Sequence, residues 1–449
     1  MSGSNLFGPL FGAPAVDAEV GDAGWLRGML DFERALATVQ GRLNLVPSRA
    51  ADAIATAARA ALDEATIDPT RLGGRALASG NPVVPLVRDL VGLVPDHAKP
   101  YVHLGATSQD VLDTAACLVA SRALAFILDD LTRAAGECAR LARRYRVTVM
   151  AGRTLGQQAV PTTFGLKCAG WLVAIDEAAA RLAAVRATRL AVQLGGAAGT
   201  LAALGPDGIR VTAALAAELG LAEPVVPWHT DRTRIADLAG ALGSTAGVLA
   251  KVAGDIVLLA QTEVAEVAEA VGGTSSAMPH KHNPVRAVLA SAAARRVPGL
   301  VSTLMASMAH EHERATGAWH AEWETLSDLL RLVGGAAHHT AELLTGLQVH
   351  PEQMRANVAD SNGLLMAESV AGRLAPTMGR SATQDLVAKV CERAVGDRIT
   401  LRAALLAEPA VRAHMDEEAI DAALDPFAYL GSAGELVDRA LAHHDAARR

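Results

Sequence analysis

Residues 244–271 read STAGVLAKVAGDIVLLAQTEVAEVAEAV, and this stretch decides the fold class. Its apolar positions Val248, Val252, Ile256, Ala260, Val264, Val267 and Val271 are spaced by three and four. That spacing places them in one stripe along a helix. At 1.5 Å per residue the helix would be about 40 Å long. Lys251, Asp255, Glu263, Glu266 and Glu269 largely lie off the stripe, and Gly272-Gly273 reads as the stop. Similar patterns run from Val111 to Arg146, Thr163 to Gln193, Val285 to about Thr316, and Trp319 to Leu347. About five long helices, broken at 152–161, 195–230, 272–284 and Gly317, predict an all-α bundle. The small residues on more than one side of these helices predict packing against other copies of the chain.

Outward from the bundle, the chain divides into three parts. Residues 1–100 hold short helical stretches broken by Gly73-Gly74, Asn81-Pro82 and Lys99-Pro100. Residues 101–346 hold the long helices, and 347–449 open at His350-Pro351 with shorter ones. The length of 449 residues suits about three domains at roughly 150 each. A 51% hydrophobic share with 20% charged residues supports a large core and excludes a mostly disordered chain. Aromatics make up only 3%, which favours helix over sheet. The net charge of −7 argues against a nucleic-acid partner. Cys117, Cys138, Cys168 and Cys391 form no CxxC pair, so free thiols in a reducing cytoplasm are expected. The start lacks a basic segment followed by an apolar one, and so does not read as a secretory signal. The longest uncharged run, Leu190 to Pro206, falls short of the roughly 20 apolar residues of a membrane span.

Three breaks carry chemistry. In the first, His103-Leu-Gly-Ala-Thr-Ser-Gln-Asp110, Thr107 or Ser108 reads as a helix N-cap with Asp110 in the first turn. Free amides, hydroxyls and a glycine there suit a carboxylate; an ordinary capping box fits equally. The second, residues 152–163, offers Arg153, Thr154, Gln157, Gln158, Thr162 and Thr163, or is a polar turn. The third, residues 272–284, reads GGTSSAMPHKHNP: glycines, hydroxyls, then Lys281 and Asn283 between prolines. It reads as a loop with a defined closed form. His280 and His282 lack further ligands nearby, and His310-Glu-His-Glu313 is not HExxH, so no metal is expected.

The third segment resembles the G-S-S-x-M-P-x-K-x-N-P signature of the fumarase/aspartase superfamily, with Thr274 in place of the first glycine. Residues 103–114 and the Arg153-Thr154 block resemble the first and second shared regions of its adenylosuccinate lyase and carboxymuconate cycloisomerase branch. Gly195-Gly-Ala-Ala-Gly-Thr-Leu201, Glu311-His-Glu-Arg314 and Trp319-His-Ala-Glu-Trp323 are most similar to bacterial carboxymuconate cycloisomerases. The resemblance implies a three-domain, all-α fold and a homotetramer with a twenty-helix core, each active site drawn from three subunits. It implies a cofactor-free addition or elimination across a C=C bond beside a carboxylate, on a small di- or tricarboxylate. The activity so implied is interconversion of 3-carboxy-cis,cis-muconate and 4-carboxymuconolactone; the alternative is a C–N type lyase releasing fumarate from a substituted succinate. No membrane partner is expected.

The same resemblance assigns roles. Ser275, or its neighbour Ser276, is the base, and Lys281 and Asn283 face the anionic intermediate. His103, Thr107, Ser108, Arg153, Thr154, Gln157, Gln158, Ser276, Met278, Asn283 and Arg314 line the site. Adenylosuccinate lyases carry an acid histidine at the position of Leu155, and well-known cycloisomerases carry one at Gln158. This chain has neither. A carboxylate leaving group, with pKa near 4, needs no such proton.

Overall fold

Residues 108–144 contain no proline and form one helix, Ser108–Arg144, of 37 residues. It is the longest element of a computed structural model that describes residues 6–270, 273, 278 and 281–448. Four more long helices follow: Phe164–Thr188, Thr233–Leu259, Val285–Ala306 and Ala318–Thr345. The all-α expectation holds. Beside the helices, the described residues hold only two small two-stranded sheets.

Four features differ from the sequence reading. The stripe from Ser244 to Val271 is helical only to Leu259. Beyond it Ala265 turns left-handed, and Glu266 N–H donates back to the Leu259 carbonyl at 2.9 Å. Val267–Glu269 is then an extended strand, β3, paired antiparallel with Leu347–Val349, β4. A strand partner from far along the chain overrides the helical period. The second polar break is not a loop but a hairpin, with strands Val149–Thr154 (β1) and Gln157–Thr163 (β2). The helix expected to reach Thr316 ends at Ala306. After it, Glu311 accepts from Thr316 N–H and Arg314 donates to Gln109, bonds that compete with helix. The break at 195–230 also contains a helix, Gly208–Leu219.

The chain gathers into two units. The first comprises residues 1–132, 177–251 and 289–340. Its core joins Leu30, Phe32 and Leu36 to Ile54, Leu86, Leu90, Val111 and Trp319. Each such fully buried large side chain contributes roughly 1.5–3 kcal/mol. A Cβ on Gly28 would stand 3.1 Å from that of Ala115, so small residues let helix Asp22–Arg42 approach helix Ser108–Arg144 closely. The second unit comprises residues 133–176, 252–288 and 341–449. Val370, Leu374, Val390, Leu401, Leu405 and Ile420 form a core within it. Trp171 there donates its indole N–H to Asp255 at 2.8 Å.

Candidate active site

In the first unit the site is built around the start of helix Ser108–Arg144. Asp110 is fully buried and sits where a capping box predicts. Its Oδ2 accepts from Thr107 N–H at 2.9 Å and Gly196 N–H at 3.0 Å. Its Oδ1 accepts from Gly195 N–H at 3.0 Å and faces His229 Nε2 at 2.7 Å. One carboxylate thus ties the helix start to the glycine loop 195–196 and to His229. A Cβ on Gly195 would stand 2.8 Å from His229 Cε1, so only glycine fits this junction. Thr107 and Ser108 are half-buried at the helix mouth.

Gln109 Nε2 donates to the His229 carbonyl at 2.8 Å, and Gln109 Oε1 accepts from Arg314 Nε at 3.2 Å. Arg314 also donates to the Ala197 carbonyl at 3.3 Å. The residues assigned around 103–108 and Arg314 therefore do share one neighbourhood. Beneath them Arg232 is 1% exposed at its side chain and donates two bonds to Asp113, at 2.9 and 3.0 Å. It donates two more to Glu322, one at 2.9 Å. Burial alone would depress its pKa; Asp113 and Glu322 outweigh that and hold it well above the usual arginine value. Trp319 Nε1 completes Asp113 at 3.0 Å, and His310 Nε2 lies 3.3 Å from Glu322.

His103 has a positive φ of 60°, and its Nδ1 lies 2.6 Å from Glu33 Oε1. Burial pushes its pKa down, but the charge and hydrogen bond of Glu33 push harder, and the net shift is upward from 6.5. A raised folded-state pKa stabilises the fold fully below 6.5, and that stability is lost as pH rises through the shifted value. The wild type is therefore expected to lose stability relative to Glu33→Gln as pH climbs above 6.5. Denaturant unfolding of both across that range checks it; parallel curves would exclude a charged His103–Glu33 pair.

In the second unit the hairpin carries Arg153, Thr154, Gln157 and Gln158. Arg153 makes a two-pronged ion pair with the fully buried Glu266, at 2.9 and 2.8 Å. Asn357 Nδ2 also donates to Glu266, at 2.8 Å, and to the Val264 carbonyl. Arg153 thus braces the hairpin within this unit, with its side chain 24% exposed. Gln158 Nε2 reaches the Asn357 carbonyl at 3.4 Å, while Thr154 and Gln157 are exposed. Thr154 pairs with Gln157 across a two-residue turn, Leu155-Gly156, with φ of 51° and 78°. Two positive φ values make this a type I′ turn, whose usual residues are Asn, Asp and Gly. Leucine in the left-handed region costs about 1–2 kcal/mol.

Residues 273–283 begin and end on an antiparallel bridge. Gly273 N–H donates to the Asn283 carbonyl at 3.0 Å, and Asn283 N–H returns the bond at 3.2 Å. A Cβ on Gly273 would meet Val285 Cγ2 at 2.2 Å. Lys281 N–H donates to the Met278 carbonyl at 3.0 Å, and both side chains are exposed. Glu269 accepts from the N–H groups of Arg286 and Ala287, capping the next helix. Ser275 and Ser276 lie outside the described residues. Among the described residues no cluster of three metal-binding side chains occurs.

Sequence reasoning missed Glu33, His229, Arg232, Glu266, Glu322 and Asn357. The run Trp228-His-Thr-Asp-Arg232 is a local signal for two of them, since charged groups beside tryptophan invite burial with partners. Asn357 carries no local signal.

Comparisons with known proteins find relatives along nearly the whole chain. Residues 16–299 match the family described as lyase, and residues 363–440 match the adenylosuccinate lyase C-terminus. The chain is 47% identical to 3-carboxy-cis,cis-muconate cycloisomerase of Pseudomonas aeruginosa, covering 99% of this chain and 97% of that one. It is 45% identical to nitrosuccinate lyase of Streptomyces davaonensis, covering 99% and 96%. Among solved structures, 3-carboxy-cis,cis-muconate lactonizing enzyme from Pseudomonas putida superposes with a TM-score of 0.92 at 43% identity, covering 99% and 100%.

Proposed function

The chain belongs to the lyase family of the fumarase/aspartase superfamily, and on that premise we propose that it is a cofactor-free cycloisomerase interconverting 3-carboxy-cis,cis-muconate and 4-carboxymuconolactone. In the lactone-forming direction a substrate carboxylate oxygen bonds to a ring-closing carbon, and the adjacent carbon gains a proton. In reverse a base removes that proton, charge gathers on the neighbouring carboxylate, and the ring C–O bond breaks. The intermediate carries two negative charges on one carboxylate, so stabilising it is the chief catalytic burden. Lys281 and Asn283 would face that charge, with Ser275 or Ser276 as base. Thr107, Ser108 and Arg314 would hold a second carboxylate. Thr154, Gln157, Gln158 and Met278 would shape the remainder, and Arg153 would fix the hairpin that presents them.

One observation carries this reading: the chain is 47% identical to a 3-carboxy-cis,cis-muconate cycloisomerase over 99% of its length, and its residues at 155 and 158 are compatible with that chemistry. Positions 155 and 158, where related enzymes place a proton-donating histidine, hold leucine and glutamine on a braced hairpin. Neither can protonate a leaving group. A group that leaves as an anion suits them, and a carboxylate does so.

A second reading has a specific observation in its favour. A nitrosuccinate lyase is 45% identical over nearly the whole chain, and nitrite too leaves without a proton. The two separate in one experiment. Loss of the ultraviolet absorbance of 3-carboxymuconate supports the cycloisomerase. Nitrite and fumarate from nitrosuccinate, with the diene untouched, transfers the assignment. Neither change, with the oligomer intact, removes both.

The proposal includes a homotetramer whose sites draw on three subunits, and the division into domains at 1–100, 101–346 and 347–449. The helix Thr233–Leu259 supports the oligomer, since only 44% of its most apolar window is buried within the chain. A cytoplasmic location belongs to the same reading, supported by cysteines that are all free thiols.

A further inference from the structure

We propose that Glu269 is a positioning residue for Lys281 and Asn283, clamping together the two ends of the segment that carries them. The inference rests on the enzymatic reading above, in which those two side chains face the anionic intermediate.

The first amides of a helix need acceptors, and a side chain at the N-cap usually supplies one. Helix Val285–Ala306 follows Pro284, whose ring offers none. Asn283 Nδ2 donates instead to the Gly273 carbonyl, at 3.4 Å. The acceptors come from Glu269, 17 and 18 residues earlier in the chain. Its Oε2 accepts from Arg286 N–H at 3.2 Å, and its Oε1 accepts from Ala287 N–H at 3.0 Å. A negative charge is favourable at that end of a helix.

A cap at residue 284 would satisfy amides at the same helix start and join nothing else. A cap from Glu269 joins the strand before the segment to the helix after it. Glu269 is itself anchored, because it pairs with Leu347 across β3 and β4, and Ala270 N–H donates to the Gly346 carbonyl at 3.1 Å. Inside the clamp, Gly273 and Asn283 exchange two backbone bonds, and Val285 N–H donates to the Asn283 carbonyl at 2.9 Å. Asn283 thus stands two residues from a fixed helix start, and Lys281 two residues further. Fixing both ends lowers the entropy lost when these groups are brought to the reacting atoms. The carboxylate touches no reacting atom and acts through the backbone it holds.

The test compares Glu269→Ala and Glu269→Gln with the wild-type protein in the full chain. Hydrogen exchange at the amides of Gly273, Asn283, Arg286 and Ala287 gives a readout that does not depend on turnover. In the alanine variant all four are expected to exchange about tenfold faster, the scale of a lost cap. Its kcat is expected to fall by about tenfold to a hundredfold, the scale of a misplaced group. Its KM is expected to stay within about threefold, because Thr107, Ser108 and Arg314 are untouched. The glutamine variant keeps one acceptor oxygen and is expected to recover part of both losses. If the alanine variant does not fold, the glutamine variant decides by the same readouts. Wild-type turnover decides the reading of the previous subsection, and exchange at Gly273 and Asn283 decides this one. Faster exchange at Arg286 and Ala287 alone would make Glu269 a helix cap and nothing more, and so overturns the inference. An unchanged kcat in the alanine variant overturns it too, as does a rise in KM at constant kcat.

Discussion

Replacing Arg232 by methionine is expected to destabilise the folded chain by about 3–5 kcal/mol, the range for leaving buried charges without their partner. The guanidinium lies at the centre of the charge cluster, with Asp113 and Glu322 both about as buried as itself. Methionine replaces most of its volume but leaves two carboxylates facing each other in a water-poor space. One must take up a proton or the cluster must open to solvent. The loss is a large part of the roughly 5–15 kcal/mol that holds a typical protein folded. It would also reach the site, because Gln109, next to Ser108, shares Asp113 with Arg232. The measurement is denaturant unfolding, with the triple variant Arg232→Met, Asp113→Asn, Glu322→Gln as control. Removing all three charges together is expected to recover much of the loss. A single variant within about 1 kcal/mol of wild type would contradict a buried, fully charged cluster.

Replacing Lys281 by methionine is expected to lower kcat by about 10²–10³ with the fold unchanged, as for a lost group that stabilises a developing oxyanion. The side chain is exposed, so no core depends on it. Its backbone is held through the Met278 carbonyl and the Gly273–Asn283 bridge, which a side-chain change leaves in place. In the proposed role the ammonium meets charge that develops during the reaction, so kcat and kcat/KM should fall together. A variant that loses affinity alone would make Lys281 a binding residue. A rate within tenfold of wild type would remove it from the chemistry.

The parts of this molecule legible in sequence were those whose cause is local. Helix Ser108–Arg144 announces itself by an unbroken run without proline and by Thr107 and Asp110 at its start. The fold class follows from five such runs. What stayed hidden depends on distant partners. Val264 and Val267 keep a helical spacing, yet Glu266 is claimed by Arg153 and Asn357, and Val267–Glu269 by β4. The 149–163 hairpin has no alternating apolar pattern to betray it, because its turn-proximal residues are exposed. Arg153 reads as a free cation in sequence, while the fold gives it a buried carboxylate. Asp110 was legible as a cap, but not its other donors.

Those other donors set a constraint on how the protein is made. Asp110 receives bonds from positions 85, 86 and 119 residues later in the chain. A nascent chain emerging in order therefore carries an incomplete helix mouth until the segment around His229 has left the ribosome. Until then the carboxylate stays in water, and the entropy of closing that long loop is still owed. The apolar core of the first unit also draws on Trp319, so core and helix mouth alike are completed only after synthesis has passed the midpoint. A translational pause late enough for residue 229 to have cleared the ribosome would favour assembly of the mouth, and an earlier one would leave it open.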